Sequence, residues 1–387
     1  MKKYTMADIA REAGVAKSTV SRYFNGGYIR EDTREKIRKI IERTNYEPSV
    51  AAQNLKLKNT KTIGIVAPTL VSTVTSRQLM AIDETLRENG YSTIIMNTNH
   101  DPQREIAAIE YLRSMRTDGI ILIATNISEE HQRLQKSSPV PFLVMGQRFH
   151  EGTSVIYDDY EAGYEMGRYF RKRGHQNVLY VGVSEVDDAV GRIRKQGVED
   201  GLRAESRNVI SLSMEETTFS YEDTRNLIRD VLNVVTPTPS AIICATDMMA
   251  LAAHKEIIEK GLRIPEDISV AGFGGYEVSE LVSPSLCSIR FNNEEAGEIC
   301  ARTIIGMIQH ETVPSVSIIG HHFIEGASVA DLTEAEKEKE EPELKDPGVK
   351  VLTRKSVQSL VRIEENQKEE SEETRVQSNG ADQKYPA

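Results

Sequence analysis

Tryptophan is absent from this 387-residue chain, and only 6% of its residues are aromatic. Cysteine is scarce: Cys244, Cys287 and Cys300 are odd in number and lack CxxC spacing. That excludes a disulfide framework, gives no zinc site and fits a reducing compartment. No run approaches the roughly 18 apolar residues of a membrane helix. Basic residues open the chain without an apolar stretch behind them, unlike a secretory signal. A cytoplasmic chain with no membrane contact is expected. Catalytic signatures are missing as well: there is no GxSxG, HExxH or phosphate-binding P-loop. Gly272-Phe273-Gly274-Gly275 follows an apolar run but lacks the GxGxxG spacing of a dinucleotide site. His321 and His322 are adjacent, so a helix would point them apart. Neither an enzyme nor a cofactor is expected.

What is present is an ordinary globular composition, 39% hydrophobic and 28% charged. At about 150 residues per domain the length suggests two or three folding units. The net charge of −11 is unevenly spread. Residues 1–60 hold 13 Lys and Arg against 7 Asp and Glu, whereas residues 61–331 hold 25 against 38. A basic start on an acidic body is the asymmetry of a chain whose first segment alone meets a polyanion.

Residues 1–46 read as helices. Met6, Ile9, Ala10 and Ala13 form an amphipathic stripe, with Thr5 as N-cap, Asp8 three residues on and Gly14 as terminator. A second helix is expected over Lys17–Phe24, burying Val20 and one of Tyr23 or Phe24, before Asn25-Gly26-Gly27 breaks it. A third spans Glu31–Thr44 with Ile37, Ile40 and Ile41 on one face. Two helices joined by a short Gly-containing turn make a helix-turn-helix. Lys17, Ser18 and Arg22 project from one side of the second helix, where an Arg suits bidentate contact with guanine. Thr5, Thr19, Ser21 and Asn25 are the candidates on the phosphate side.

Residues 61–331 alternate β-branched runs with helical stretches. The runs at 63–66, 93–96, 119–123 and 142–145 form one series, and those at 178–181, 241–244 and 268–271 a second. Near-continuous apolar strands separated by helices indicate parallel sheets covered on both faces. Two series suggest two doubly wound subdomains, about 61–160 plus 290–320 and about 161–289 plus 321–331. A ligand would sit in the cleft at the strands' carboxyl ends. Residues 332–387 are charged and poor in apolar side chains, which points to a disordered tail, with a short helix at 349–363.

The stretch from Thr5 to Arg22, with Asn25, Thr33-Arg34-Glu35-Lys36-Ile37 and Asn45-Tyr46-Glu47-Pro48, resembles the helix-turn-helix of the LacI/GalR family of bacterial regulators. The resemblance covers 1–331. It implies an all-α headpiece at 1–46, a hinge helix and linker at 47–60, and a periplasmic-binding-protein-like α/β body at 61–331 that binds effector and dimerises. It further implies a homodimer, with a tetramer left open, on double-stranded operator DNA. Lys17 and Ser18 match the variable specificity positions and Arg22 the common base-reading one. Leu55 matches a hinge leucine that wedges into the minor groove. Two usual helix caps are replaced, by Ala16 and Arg30.

A small carbohydrate effector, a disaccharide such as sucrose or a sugar phosphate, is implied for the cleft. Arg192 aligns with a cleft arginine, Asp247 with a carboxylate and Phe219 with an aromatic that packs on sugars. Ser72, Val74, Thr75, Arg77 and Gln147 fall near the cleft on the first subdomain, and Phe291 or Asn293 at a crossover. Where the family carries aspartates after Gly-Phe, this chain has Gly274-Gly275-Tyr276-Glu277, so Tyr276, Glu277 or backbone must supply those hydrogen bonds. Plainer roles stay open: a surface ion pair for Arg192, a helix cap for Asp247, ordinary core for Phe219. Two rivals remain, a global carbon regulator with a phosphocarrier protein as corepressor and a sugar-binding protein without DNA function.

Overall fold

The computed structural model describes residues 4–24, 26–44, 46, 60–204, 211–235 and 237–333. Asn25, the hinge segment with Leu55, and the tail with its 349–363 helix lie outside the described residues. The chain divides at Lys61 into two units, a headpiece and a body.

The headpiece consists of α1 (Met6–Ala13), α2 (Lys17–Phe24) and α3 (Glu31–Thr44). Thr5 and Asp8 close a reciprocal capping box: the Asp8 N–H donates to Thr5 Oγ1 and the Thr5 N–H to the Asp8 carboxylate. Gly14, at φ +66°, ends α1 in the left-handed region that glycine adopts without a Cβ penalty. Ile9, Ala10, Val20, Ile29, Ile37 and Ile40 are buried together, and both Tyr23 and Phe24 pack partly against them. Burying one side chain of this kind contributes about 1.5–3 kcal/mol, which is what holds so small a unit together.

The body begins with β1 (Thr62–Ala67), α4 (Thr73–Glu88), β2 (Ser92–Asn97), α5 (Pro102–Ser114), β3 (Gly119–Ile123), α6 (Glu129–Lys136), β4 (Phe142–Met145) and β5 (Thr153–Tyr157). It crosses to α7 (Asp159–Lys172), β6 (Asn177–Gly182), a π-helix (Asp188–Arg194), α8 (Lys195–Arg203), β7 (Ser211–Glu216), α9 (Tyr221–Val234) and β8 (Ala241–Cys244). Next come α10 (Asp247–Glu259), β9 (Ser269–Phe273), α11 (Glu277–Leu281) and β10 (Cys287–Phe291). The chain then returns through α12 (Asn293–Ile308) and β11 (Val316–Ile319) to β12 (His321–Ile324).

Two six-stranded sheets result, ordered β11-β5-β4-β3-β1-β2 and β12-β10-β9-β8-β6-β7. All pairings are parallel except β10 with β12. Strand sequences such as Gly119-Ile-Ile-Leu-Ile123 are buried throughout, as a sheet covered on both faces requires. The first lobe has a core on each side of its sheet, and the second has one continuous core. Both sheets reverse strand order at their centres, which opens a crevice at the carboxyl ends of the strands.

Helices α7 and α8 meet backbone to backbone beside this crevice. A Cβ at Gly197 would lie 2.2 Å from the Tyr160 carbonyl oxygen, and one at Gly163 2.2 Å from that of Arg194. Glycines at these positions let the π-helix end close beside the β5–α7 crossover.

Candidate DNA-reading face and effector cleft

On α2, Lys17, Ser18 and Arg22 are exposed, Thr19 and Ser21 are half-buried, and Val20 is fully buried. Positions 17, 18, 21 and 22 share one helix face, since side chains recur every 3.6 residues. The buried Val20 fixes the roll of α2, so the polar side is presented outward. Thr5 is half occupied already, its hydroxyl donating to Asp8 Oδ2 at 2.6 Å. Ala16 and Arg30 hold the cap positions of α2 and α3 through backbone carbonyls, which accept from Thr19 and Thr33.

In the body, the carboxyl ends of the strands gather the polar residues of the crevice. Gln147 follows β4 in the first lobe and is buried. Its amide nitrogen donates to Asp187 Oδ1 of the second lobe at 2.7 Å and to the Thr125 carbonyl at 3.0 Å. Its Oε1 accepts from the Ala189 N–H at 3.2 Å. Asp187 caps the π-helix through the Val190 N–H. Burial pushes the Asp187 carboxyl above its ordinary pKa, against the pull of Val190 and Gln147. A second bridge joins Arg77 on α4 to Glu277 on α11, with Glu294 at 3.6 Å on the same guanidinium.

Asn293, at the start of α12, is buried and accepts from the Tyr157 hydroxyl at 2.7 Å, which itself accepts from Gln78 Nε2 at 2.7 Å. Ser72 caps α4, accepting from the Thr75 N–H. Phe219 follows β7 with 40% of its surface exposed, so it is not core.

Arg192 and Asp247 take the plainer places left open for them, or ones close to them. Arg192 is exposed on the π-helix and ion-paired to Asp188. The buried cation is Arg194, with 7% of its side chain exposed. It donates to Asp159 and to the Ala245 carbonyl, and its guanidinium lies 5.0 Å from the Phe273 ring centre and 5.1 Å from that of Phe291. The resemblance points to Arg192, whereas the side chain buried beside Asp159 belongs to Arg194, two positions on in the same π-helix.

Asp247 sits at the centre of a hydrogen-bond cluster inside the second lobe. Its carboxylate is fully buried and accepts from Ser288 Oγ at 2.6 Å, Ser279 Oγ at 2.9 Å and the Tyr276 N–H at 3.1 Å. Those bonds tie α10 to β10 and α11 within one lobe. The N-cap of α10 is Thr246, not Asp247.

The glycines that replace the family's aspartates have a backbone reason. Gly275 sits at φ +61°, and a Cβ there would come 2.5 Å from Arg290 Cβ. A Cβ at Gly274 would come 2.7 Å from the Tyr276 ring. Tyr276 thereby lies over the turn, where burial and then the nearby Asp247 push its phenol up to about 12. It stays a neutral donor at physiological pH. Among the described residues no group of three His, Cys, Asp or Glu could hold a metal, and no helix is long and apolar enough to cross a membrane.

A helix-turn-helix reader carried on a two-lobed body with a polar crevice defines a DNA-binding regulator that answers to a ligand. Residues 60–327 match the description "Periplasmic binding proteins and sugar binding domain of LacI family", and residues 5–49 match "Bacterial regulatory proteins, lacI family". The chain belongs to the LacI family. It is 35% identical over 314 residues to a sucrose operon repressor of Staphylococcus xylosus, covering 81% of this chain and 97% of that one. It is 30% identical to the transcriptional repressor PurR of Mannheimia succiniciproducens, over 82% and 96% of the two chains. The fold matches a Lac repressor dimer bound to operator and the anti-inducer ONPF, with a TM-score of 0.76 at 24% identity over 85% of this chain and all of that one.

Proposed function

We propose that this chain is a cytoplasmic repressor of carbohydrate-utilisation genes, a homodimer that binds a pseudo-palindromic operator and releases it in response to a small carbohydrate. The exposed row Lys17, Ser18 and Arg22, set by the burial of Val20, carries the DNA assignment. Lys17, Ser18 and Arg22 read base edges, while Thr5, Thr19, Ser21 and Asn25 serve the phosphates and Leu55 the minor groove. The effector lies between the lobes against Arg194, Tyr276, Asn293, Ser72 and Phe219, with Gln147 and Arg77 fastening the lobes around it. These supply donors and acceptors for hydroxyls, with an aromatic face for sugar C–H groups.

The likeness to a sucrose operon repressor supports a carbohydrate over other small molecules. Effector binding shifts one lobe against the other, and the two sites are linked by a coupling free energy of about 1–3 kcal/mol. A thermal-shift screen of the purified chain against monosaccharides, disaccharides and sugar phosphates tests the reading. One carbohydrate should raise the unfolding midpoint and loosen DNA binding. Stabilisation by a nucleobase alone would overturn it.

A further inference from the structure

Tyr28 is 89% exposed, an aromatic side chain left in water. Its neighbours explain why it stays there. On one side Gly27 donates its N–H to the Arg22 carbonyl at 2.9 Å, and a Cβ at Gly27 would sit 3.2 Å from Arg22 Cβ. On the other side Ile29 is buried in the headpiece core with Val20 and Ile37. The loop is thus clamped against the stem of the reading arginine at one residue and anchored in the core two residues later. Tyr28 is held between these points, beside the end of α2. The other exposed tyrosine of the headpiece, Tyr4, has a local role, donating its hydroxyl to Glu12.

We infer that Tyr28 is a DNA-backbone contact: its phenol donates to a phosphate oxygen next to the base pair read by Arg22, and its ring covers the adjoining sugar. Tyrosine hydroxyls are among the groups that hold a protein in register on a duplex, and such contacts carry no base information. The phenol is uncharged, so it displaces no counterion. This separates Tyr28 from the cations Lys17 and Arg22. The inference rests on the DNA-reading assignment.

The test uses the full chain, its Tyr28→Phe and Tyr28→Ala variants, and a duplex selected by the wild-type chain from a randomised pool. Binding is followed by fluorescence anisotropy at several salt concentrations. Tyr28→Phe should weaken binding about tenfold, the loss expected for a hydrogen bond to a charged group. The loss should be equal for every base substitution in the duplex, and the salt slope should not change. Tyr28→Ala should lose at least as much while its unfolding midpoint matches the wild type. Wild-type affinity in Tyr28→Phe, or a loss confined to one base pair, would overturn the inference. Failure of the wild-type chain to select any duplex would remove the DNA assignment itself and Tyr28 with it.

Discussion

Gln147 of the first lobe donates its amide to Asp187 of the second at 2.7 Å, and the same Asp187 caps the π-helix that ends at Arg194. One side chain therefore reaches across the crevice and completes the N-terminus of a helix on the far side. With the Arg77–Glu277 bridge, it fastens the lobes at two places. Gln147→Ala should release one fastening and leave Asp187 and the Ala189 N–H to water. A buried hydrogen bond contributes about 0.5–1.5 kcal/mol, so an effector that needs the lobes together should bind up to about tenfold more weakly. Calorimetric titration with the carbohydrate found by screening measures this. Unchanged effector affinity would show that the bridge does not contribute to closure.

Arg22→Ala examines the reading face. Loss of a bidentate contact should cost about 1–3 kcal/mol and flatten the preference at a single base pair, leaving the others intact. Competition binding against all single substitutions of the selected duplex gives the pattern. A uniform loss across every position would make Arg22 a phosphate contact instead.

Gly275→Asp puts back the residue type that the family resemblance implies after Gly-Phe, and it should not create an effector contact. Gly275 sits at φ +61° with Arg290 Cβ where its own Cβ would go. Left-handed backbone costs a side-chain-bearing residue about 1–2 kcal/mol before Arg290 is displaced. Arg290 holds the turn by donating to the Gly275 carbonyl and to Glu280. The variant should unfold several degrees below the wild type without gaining affinity for the effector. Equal thermal stability would show that the turn can rearrange.

Local chemistry made most of the fold legible. The Met6-Ile9-Ala10-Ala13 stripe, the Thr5–Asp8 cap and Gly14 define α1 within the chain's own first residues. The apolar runs lie in β1 to β4, β6, β8 and β9, in two series that became two sheets. Strands such as Ser211–Glu216, with its mixed polar sequence, gave no such signal, because their burial comes from neighbours rather than from an apolar run. The crevice was harder to read. The family resemblance points to Arg192, which is exposed and paired with Asp188, whereas Arg194 is the one buried against Asp159. Asp247 accepts from Ser279 and Ser288, more than 30 positions away, partners that the sequence could not place beside it. The departure at Gly274-Gly275 was visible as a difference, but its cause lies in Tyr276 and Arg290 packing over the turn.

His175 gives the body a pH dependence of definite sign. It is buried at the end of α7, with Nδ1 3.0 Å from Ser240 Oγ and Nε2 3.3 Å from the Ala330 carbonyl. Burial pulls its pKa from 6.5 down to about 4. His254 is shifted the same way by burial. Below pH 6.5 the unfolded chain binds a proton at His175 that the folded chain refuses until about pH 4. The stability contributed by the neutral ring is therefore complete above pH 6.5, declines through that window and is gone below it. At 1.36 kcal/mol per pH unit the full effect is about 3 kcal/mol. Denaturant unfolding across this range should show the decline in the wild type and a shallower one in His175→Gln, carboxylate titrations being common to both. Parallel curves for the two proteins would show that His175 takes its proton without unfolding the lobe.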